Sequence, residues 1–517
     1  MCGIAGIFFK EEINNVESNL GHVLSRILHR GHSLFETALG DGWAMGANRL
    51  EIVDPYNGRQ PIYSSDKQVV IVFNGEIYNF LELKALLFKK GYSFITGTDT
   101  EVIANGYHCW GTNVFNKLDG MFAIIIWDNR TKEYIAARDP IGVKPLYYCN
   151  LGNQTVFASE IKALIDYSDV IETIKPGHFL KDGSNQTTYY RGERPPMGDN
   201  LNQNATILRE LISASVKKRV QSELPIAIFL SGGVDSSIIL YEAIKHHPNV
   251  TAFSIGSQDS QDVKIGKRLC SKLNVPFVHV PIDSATLLKS IPDVVWSIES
   301  FEPNHIRGGT LSFFLSKEVA ERGFKIALCG EGADELFGGY REFGIALEAG
   351  DSEDAIRGLF ERFVKELYKT QLQRVDRTSM NFTLEVREPY LDKRILDFSY
   401  SLPITQKIGI SSEGKWFNKS ILREAYRGIL PDWITSREKV VLSMGAGFGS
   451  NGPEGIFYEN GLRMVSAQEL INMQTKYPEY KINTSEEAYY FKIFLEKFGE
   501  IDLAKNRPLV NASPVTA

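Results

Sequence analysis

The chain has 517 residues, 43% hydrophobic and 23% charged, with a formal net charge of −6. That length exceeds what one hydrophobic core supports and predicts two domains, or three. The mild acidity, with no basic run interleaved with aromatics, argues against a nucleic-acid partner. The longest apolar runs, such as MFAIIIW at 121–127, are too short to cross a membrane. The five cysteines are scattered without a C-x-x-C, so neither a disulfide framework nor a zinc site is expected. The start lacks the basic and long apolar regions of a signal peptide, and the reading is cytoplasmic, with no membrane association.

The chain opens MCGIAGIFF. A Gly-rich apolar end with a thiol at position 2 admits two readings. Cys2 is either the first residue after loss of Met1, a thiol and a free amine side by side, or a small hydrophobe opening a strand. Up to about residue 190 short runs rich in Val, Ile, Phe and Tyr follow one another: CGIAGIFF, AMGANRLEIV, QVVIVFNGEIY, MFAIIIWD, EYIAARD, PLYYC and TVFASE. Turn formers such as DPYNG, LDG and DNRTK separate them, which predicts antiparallel sheets with packed helices, an α+β layered domain. Helical spacing appears at 79–91 and 100–110; in the first, Leu81, Leu83, Ala85, Leu86 and Phe88 are expected to form the apolar face.

RGERPPMGDNLNQNA, 191–205, is polar and Pro/Gly-containing and reads as a domain boundary. Beyond it the rhythm becomes strand, turn, helix. PIAIFL runs into SGGVDSS and the helix IILYEAI. VTAFSIG precedes a helix with Ile265, Leu269 and Leu273 on one face, then VPFVHVPI, and FKIALCG repeats the strand-then-glycine device. This alternation predicts an α/β doubly wound parallel sheet with ligands at the carboxyl ends of its strands. The expected division is 1–195, 205–505 and a disordered tail, 506–517.

The strongest local signal is LSGGVDSS, 230–237. Gly232 and Gly233 let backbone amides approach an anion, Ser231, Ser236 and Ser237 add hydroxyls, and the helix amino terminus supplies positive potential. Asp235 would repel phosphate unless it orients a Mg²⁺. A P-loop is excluded by the missing GK[ST] ending. A plain Gly-rich strand–helix turn is the structural alternative. In LCGEGADELFGGY, 328–340, a second strand exit leads through glycines to Glu331, Asp334 and Glu335, carboxylates able to bind Mg²⁺ or act on an incoming amine.

Taken in order, MCGIAGIF, HRG at 29–31, NRLEIVD, NGRQPI, VFNGEIYN, GTDTEV, LDGMFAIIIWD, ARDPIGVKPLYY and FASEIKAL resemble a class II glutamine amidotransferase domain. With LSGGVDSS, which is similar to the loop of PP-loop ATP pyrophosphatases, then CGEGADELFGGY and LEVREPYLD, the chain resembles glutamine-dependent asparagine synthetases over about residues 1–450. The resemblance implies an N-terminal nucleophile αββα domain followed by an ATP-pyrophosphatase domain, and a homodimer. It implies that Cys2 attacks the glutamine amide with its own α-amine as base, that Asn74 and Gly75 form the oxyanion hole, and that Arg49, Asp99 and Glu76 hold the glutamine α-carboxylate and α-ammonium. Ammonia then passes between domains.

In the second domain the resemblance gives Ser231, Gly232, Gly233, Asp235, Ser236 and Ser237 to the pyrophosphate of ATP. It gives Leu230, the Ser254, Ile255, Gly256 stretch and Gly330 to the rest of the nucleotide. Lys439 is placed near the phosphates, Glu331 at amine transfer, and Asp235 with Asp334 on Mg²⁺. The acceptor carboxylate is aspartate by default. Departures cluster around that acceptor: ESFEPNHIRGG at 299–309, KVVLSMG at 439–445, and Glu388 in REPYLD. HRGHS also departs from the usual H-R-G-P-D. These leave open the same chemistry on another small or carrier-bound carboxylate. Two other classes are a β-lactam-synthetase-like ring-closing enzyme that needs no glutamine and a non-catalytic nucleotide-binding module.

Overall fold

The computed structural model describes all residues except 12, 33, 196, 412–413, 450–454 and 503–517. The chain forms two compact units. The first contains Met1–Arg191, with Met380–Thr383 and the described chain from Phe494; the second contains Gly192–Ser379 and Leu384–Ile493. The tail expected at 506–517 lies outside the described residues, as does Ser33 of HRGHS.

The first unit is built on two six-stranded sheets. In chain order its elements are β1 (Cys2–Phe9), α1 (Val16–Ser25), β2 (Glu36–Gly40), β3 (Trp43–Arg49), β4 (Ile62–Tyr63), β5 (Val69–Ile77), α2 (Phe80–Lys89), α3 (Asp99–Trp110), β6 (Gly120–Asp128), β7 (Glu133–Arg138), β8 (Tyr147–Asn150), β9 (Gln154–Ala158), β10 (Glu172–Thr173), β11 (His178–Lys181) and β12 (Thr187–Thr188). One sheet has the order β10-β8-β9-β1-β3-β2, the other β12-β11-β7-β6-β5-β4, and the pairings are antiparallel.

The period of two along β5 and β6 decides the layers. Val70, Val72, Ala123 and Ile125 pack with Cys2, Ile4 and Phe8 in the core between the sheets. Their alternates Ile71, Phe73, Ile124 and Ile126 pack with Leu83, Leu87, Val102 and Ile103 of α2 and α3. Sheets apolar on both faces must be covered on both faces, and the result is the αββα sandwich.

α2 differs from expectation. Leu83 and Leu87 are buried, with Phe80 against the same core, whereas Leu81, Ala85, Leu86 and Phe88 are exposed. The helix is apolar on both sides, so its periodicity alone has two solutions, and packing on β5 selects one. The AMGANRLEIV run also ends as strand at Arg49, because the chain then turns so that carbonyls 53–55 reach the Arg49 side chain.

The second unit centres on a five-stranded, fully parallel sheet of β13 (Ile226–Phe229), β14 (Val250–Gly256), β15 (Phe277–Pro281), β16 (Ile326–Leu328) and β17 (Glu385–Arg387), in the order β15-β14-β13-β16-β17. The order reverses around β13, the kind of switch point beside which open α/β sheets bind ligands. Helix Val234–His246 follows β13 directly. The boundary stretch 191–205 is helical from Leu201, capped by the Asn200 side chain. In helix Gln261–Leu273 the buried face is Val263, Gly266, Leu269 and Cys270, with Ile265 and Leu273 half-buried.

Candidate active sites

In the first unit, Cys2 opens β1 and lies opposite Arg49 in the register with β3. It is 5% exposed. On β5, Asn74 and Glu76 continue the face begun by Val70 and Val72, the face turned to the other sheet and to Cys2. The consequence is one decisive contact: the Cys2 backbone nitrogen donates to Asn74 Oδ1 at 2.9 Å. Asn74 Nδ2 is buried with no hydrogen-bond partner among the described residues. A buried amide donor without an acceptor costs about 1–3 kcal/mol, so an orphan of this kind needs a functional reason. Beside it, Gly75 crosses β6 so closely that a Cβ would lie 2.0 Å from the Met121 carbonyl oxygen.

The charged side chains stand to one side. Arg49 Nη2 donates to the carbonyls of Val53 and Asp54, the latter at 3.0 Å, and Nη1 to that of Pro55. Gly58 leaves room for this guanidinium; a Cβ there would meet Arg49 Nη2 at 2.3 Å and Thr98 Cγ2 at 2.7 Å. Thr98 caps α3, and Asp99 is that helix's first residue, its Oδ2 accepting from the Ile77 amide at 3.0 Å. A cation and a carboxylate therefore sit near one another within reach of the strand carrying Cys2, a pair suited to an α-amino acid. Glu76 is half-buried on the same face of β5.

Gln60 and an ionic cluster complete the surroundings of Cys2. Gln60 Oε1 accepts from Phe73 N at 2.6 Å, while its Nε2 donates to Phe73 O at 3.0 Å and approaches Cys2 Sγ at 3.8 Å. One side chain thus clamps the peptide just before Asn74 and touches the thiol. Arg30 Nε donates to the Cys2 carbonyl at 3.2 Å, and its Nη1 pairs with Glu160 at 2.6 Å. His29 and Lys162 bond the same carboxylate. Burial raises the Glu160 pKa, but His29, Lys162 and Arg30 around it hold it well below the usual carboxylate range. The NGRQPI and HRG motifs contained these residues; their partners, 13 and 130 positions away, were not readable.

In the second unit the LSGGVDSS loop leaves β13 and is stitched to itself. Ser231 N donates to Ser236 Oγ at 3.2 Å, and the two hydroxyls are 3.1 Å apart. Ser237 Oγ is buried without a hydrogen-bond partner among the described residues. Gly330 allows the loop after β16 to pack on this turn, since a Cβ there would meet Asp235 Cβ at 3.0 Å and Ser236 N at 3.1 Å. Both glycine-rich exits therefore converge. Leu230 and Ile255 line an adjoining cavity of 1920 Å³ with Asp235, Glu331, Asp334 and Lys439. Ser254 instead turns inward, its hydroxyl bonded to the Leu230 carbonyl, and the Gly256 carbonyl oxygen lies 3.0 Å from His279 Nε2.

Charge dominates here. Lys419 Nζ is 2.5 Å from Asp235 Oδ2 and 2.5 Å from Asp334 Oδ1, and Lys439 Nζ is 2.6 Å from Asp334 Oδ2. Burial pushes Asp334 up, yet the two lysines hold it well below the usual range. Burial, with Asp334 and Glu331 nearby, pushes Glu335 up to about 7. Arg374 Nη2 pairs with Glu331 at 2.5 Å. Arg437, two residues before Lys439, joins Ser231 O to Asp262. Lys419, Arg374 and Arg437 are absent from the sequence-based expectation, because a lone basic residue carries no signal until its carboxylate is known.

Among the described residues no three His, Cys, Asp or Glu side chains are grouped to hold a metal ion. Asp235 and Asp334 nonetheless fit a Mg²⁺ that takes its other ligands from phosphate and water, since both carboxylates meet at Lys419 and Asp235 Oδ1 is buried without a hydrogen-bond partner among the described residues. Two of the departing segments reach this cavity: Asn304, Arg307 and Gly308 line it, as do residues 439–444. Arg307 is paired there with Glu486. Glu388 is buried, and its charge joins burial in pushing the Cys329 thiol up.

Residues 1–187 match the family described as glutamine amidotransferase domain, and residues 207–351 and 347–451 match asparagine synthase. The class is thus an amidotransferase domain joined to a synthase domain. Asparagine synthetase [glutamine-hydrolyzing] 2 of Arabidopsis thaliana is 32% identical, the match covering 96% of this chain and 87% of that protein. Asparagine synthetase [glutamine-hydrolyzing] of Zea mays is 30% identical, covering 98% and 87%. A probable asparagine synthetase [glutamine-hydrolyzing] of Schizosaccharomyces pombe is 33% identical, covering 87% and 85%. The chain belongs to the glutamine-hydrolysing asparagine synthetase family, enzymes that join carbon to nitrogen with glutamine as amide donor.

Proposed function

We propose that this enzyme converts aspartate to asparagine with ATP and the amide nitrogen of glutamine. The observation that carries the reading is Asn74, which holds the Cys2 nitrogen through Oδ1 and keeps Nδ2 unpaired. With Met1 removed, that nitrogen is an α-amine, whose ordinary pKa near 8 suits a general base. It takes the thiol proton as Sγ attacks the glutamine side-chain carbonyl carbon. Charge develops on the carbonyl oxygen, and Asn74 Nδ2 with the Gly75 amide is the proposed oxyanion hole. Arg49 would pair with the glutamine α-carboxylate, and Asp99 and Glu76 with its α-ammonium. Collapse of the intermediate releases ammonia and leaves a thioester, which water hydrolyses.

In the second unit the aspartate side-chain carboxylate attacks the α-phosphorus of ATP, and pyrophosphate leaves. Ser231, Gly232, Gly233, Ser236 and Ser237 are assigned to the pyrophosphate. Leu230, Ser254, Ile255, Gly256 and Gly330 are assigned to the remainder of the nucleotide, with Lys439 near the phosphates. Asp235 and Asp334 would hold Mg²⁺, which supplies charge neutralisation of the pyrophosphate. Ammonia then attacks the acyl carbon and AMP departs, with Glu331 as the carboxylate at that step. Membership of this family disfavours a ring-closing enzyme or a non-catalytic module. No helix among the described residues is long and apolar enough to cross a membrane; a cytoplasmic location and a homodimer complete the reading.

The test is pyrophosphate release with ATP, Mg²⁺ and glutamine, with and without aspartate, with asparagine measured in the same tubes. Equal aspartate-dependent pyrophosphate and asparagine is the expected result. Glutamine hydrolysis without aspartate-dependent pyrophosphate would overturn aspartate as acceptor and turn attention to Arg307, Glu388 and residues 439–444.

A further inference from the structure

α2 is apolar on two sides, and only the inner one is used by the core. Leu81, Ala85 and Phe88 follow one another at i, i+4 and i+7, so they form a single outward stripe. Leu81 is 67% exposed and Phe88 71%, and just past the helix Ile95 is 87% exposed. Scattered apolar residues on a surface need no explanation, whereas a row on one helix face is a candidate contact surface.

The charges beside the stripe select its occupant. Glu82 and Lys89 lie on the same flank, seven residues apart. Both are exposed, and among the described residues neither has an ion-pair partner. On the other flank Lys84 is already committed, donating to the Thr96 carbonyl at 3.0 Å and lying 4.8 Å from the centre of the Phe94 ring. A two-fold axis crossing the stripe near Ala85, perpendicular to the helix, runs a second α2 antiparallel to the first and keeps each flank on its own side. Glu82 of each copy then faces Lys89 of the other, Leu81 approaches the opposing Phe88, and the small Ala85 sits where the backbones come closest. We propose that this outer face of α2 is a homodimer contact, occupied by the same face of a second copy. The inference names the surface of the homodimer in the proposed reading, and rests on that dimer forming.

Sedimentation of the full-length protein between about 1 and 50 µM tests it. The wild type is expected to be a dimer, and Leu81→Asp and Phe88→Asp to be monomers with unchanged glutaminase activity, since neither residue belongs to that site. Glu82→Lys and Lys89→Glu should each weaken dimerisation about tenfold or more, and the double reversal should restore it. A wild type that is monomeric throughout overturns the dimer and the face together. A dimer indifferent to Phe88→Asp overturns the face alone. Should the aspartate variants fold poorly, the exposed charge reversals decide: single losses without restoration in the double variant overturn antiparallel pairing. The asparagine assay is read separately from all of these.

Discussion

The two sites reach readiness by opposite means. Around Cys2 the work is done by neutral groups: an asparagine amide on the strand nitrogen, a glutamine clamping the adjacent peptide, and backbone carbonyls holding Arg49. Its ionic cluster, Glu160 with Arg30, His29 and Lys162, stands one step back and reaches Cys2 through the hydrogen bond from Arg30 to its carbonyl. Around Asp235 ionised side chains meet directly, through Lys419, Asp334, Lys439, Glu331 and Arg374. Neutral preorganisation suits a step in which charge appears briefly on one oxygen. A field of opposed charges suits a substrate that arrives highly charged and must displace existing partners.

Substitutions can break this contrast. The largest effect is expected for Cys2→Ala, which should cut glutamine-dependent product by about 10³ or more while free ammonia still serves as donor; loss of both activities would refute a separate glutaminase site. Asp235→Ala should lower pyrophosphate release about 10²–10³-fold with either donor, leaving glutamine hydrolysis intact. Gln60→Leu sharpens the comparison, because it removes a neutral clamp and no charge. Glutaminase kcat/KM should fall about 10–100-fold, with ammonia-dependent synthesis unchanged; an unaffected glutaminase would mean that Gln60 is only a structural brace.

The smallest effect belongs to Asp54. Its carboxylate accepts from the Gly97 and Asn57 amides, the Gly97 bond at 2.8 Å, and these contacts hold its pKa below the usual aspartate value. A depressed folded-state pKa means the bonds are fully present above the unfolded value of about 3.9 and are lost as pH falls through the folded one. Asp54→Ala should therefore raise the KM for glutamine about threefold at pH 7 through the 53–55 loop that anchors Arg49. The difference from wild type should shrink as the solution is acidified past that range.

How far the molecule was readable from its sequence follows from the distance over which each feature is decided. The alternating runs of β5 and β6 and the strand-turn-helix units around LSGGVDSS declare themselves locally, and so did both fold classes. The strands Glu36–Gly40 and Glu172–Thr173 depend on a neighbour for their existence and carry no such local signal. Lys419 lies 184 residues from Asp235, and nothing in FNKSILR indicates that its ammonium bridges two carboxylates. α2 failed differently: its outward leucine and phenylalanine mimic a buried face, and only packing shows which side the core takes.

The bridge made by Lys419 bears on the economy of the enzyme at rest. Two buried carboxylates facing each other would ordinarily have to take up a proton or a cation from solution. Here a side chain of the protein supplies that cation, so the pocket proposed for the nucleotide can keep its shape when ATP is scarce. On the proposed function, nucleotide binding would be an exchange of counter-ions rather than the filling of an electrostatic void. Saturating ATP should then protect the protein from heat only modestly, and far more in a Lys419→Met variant that still folds.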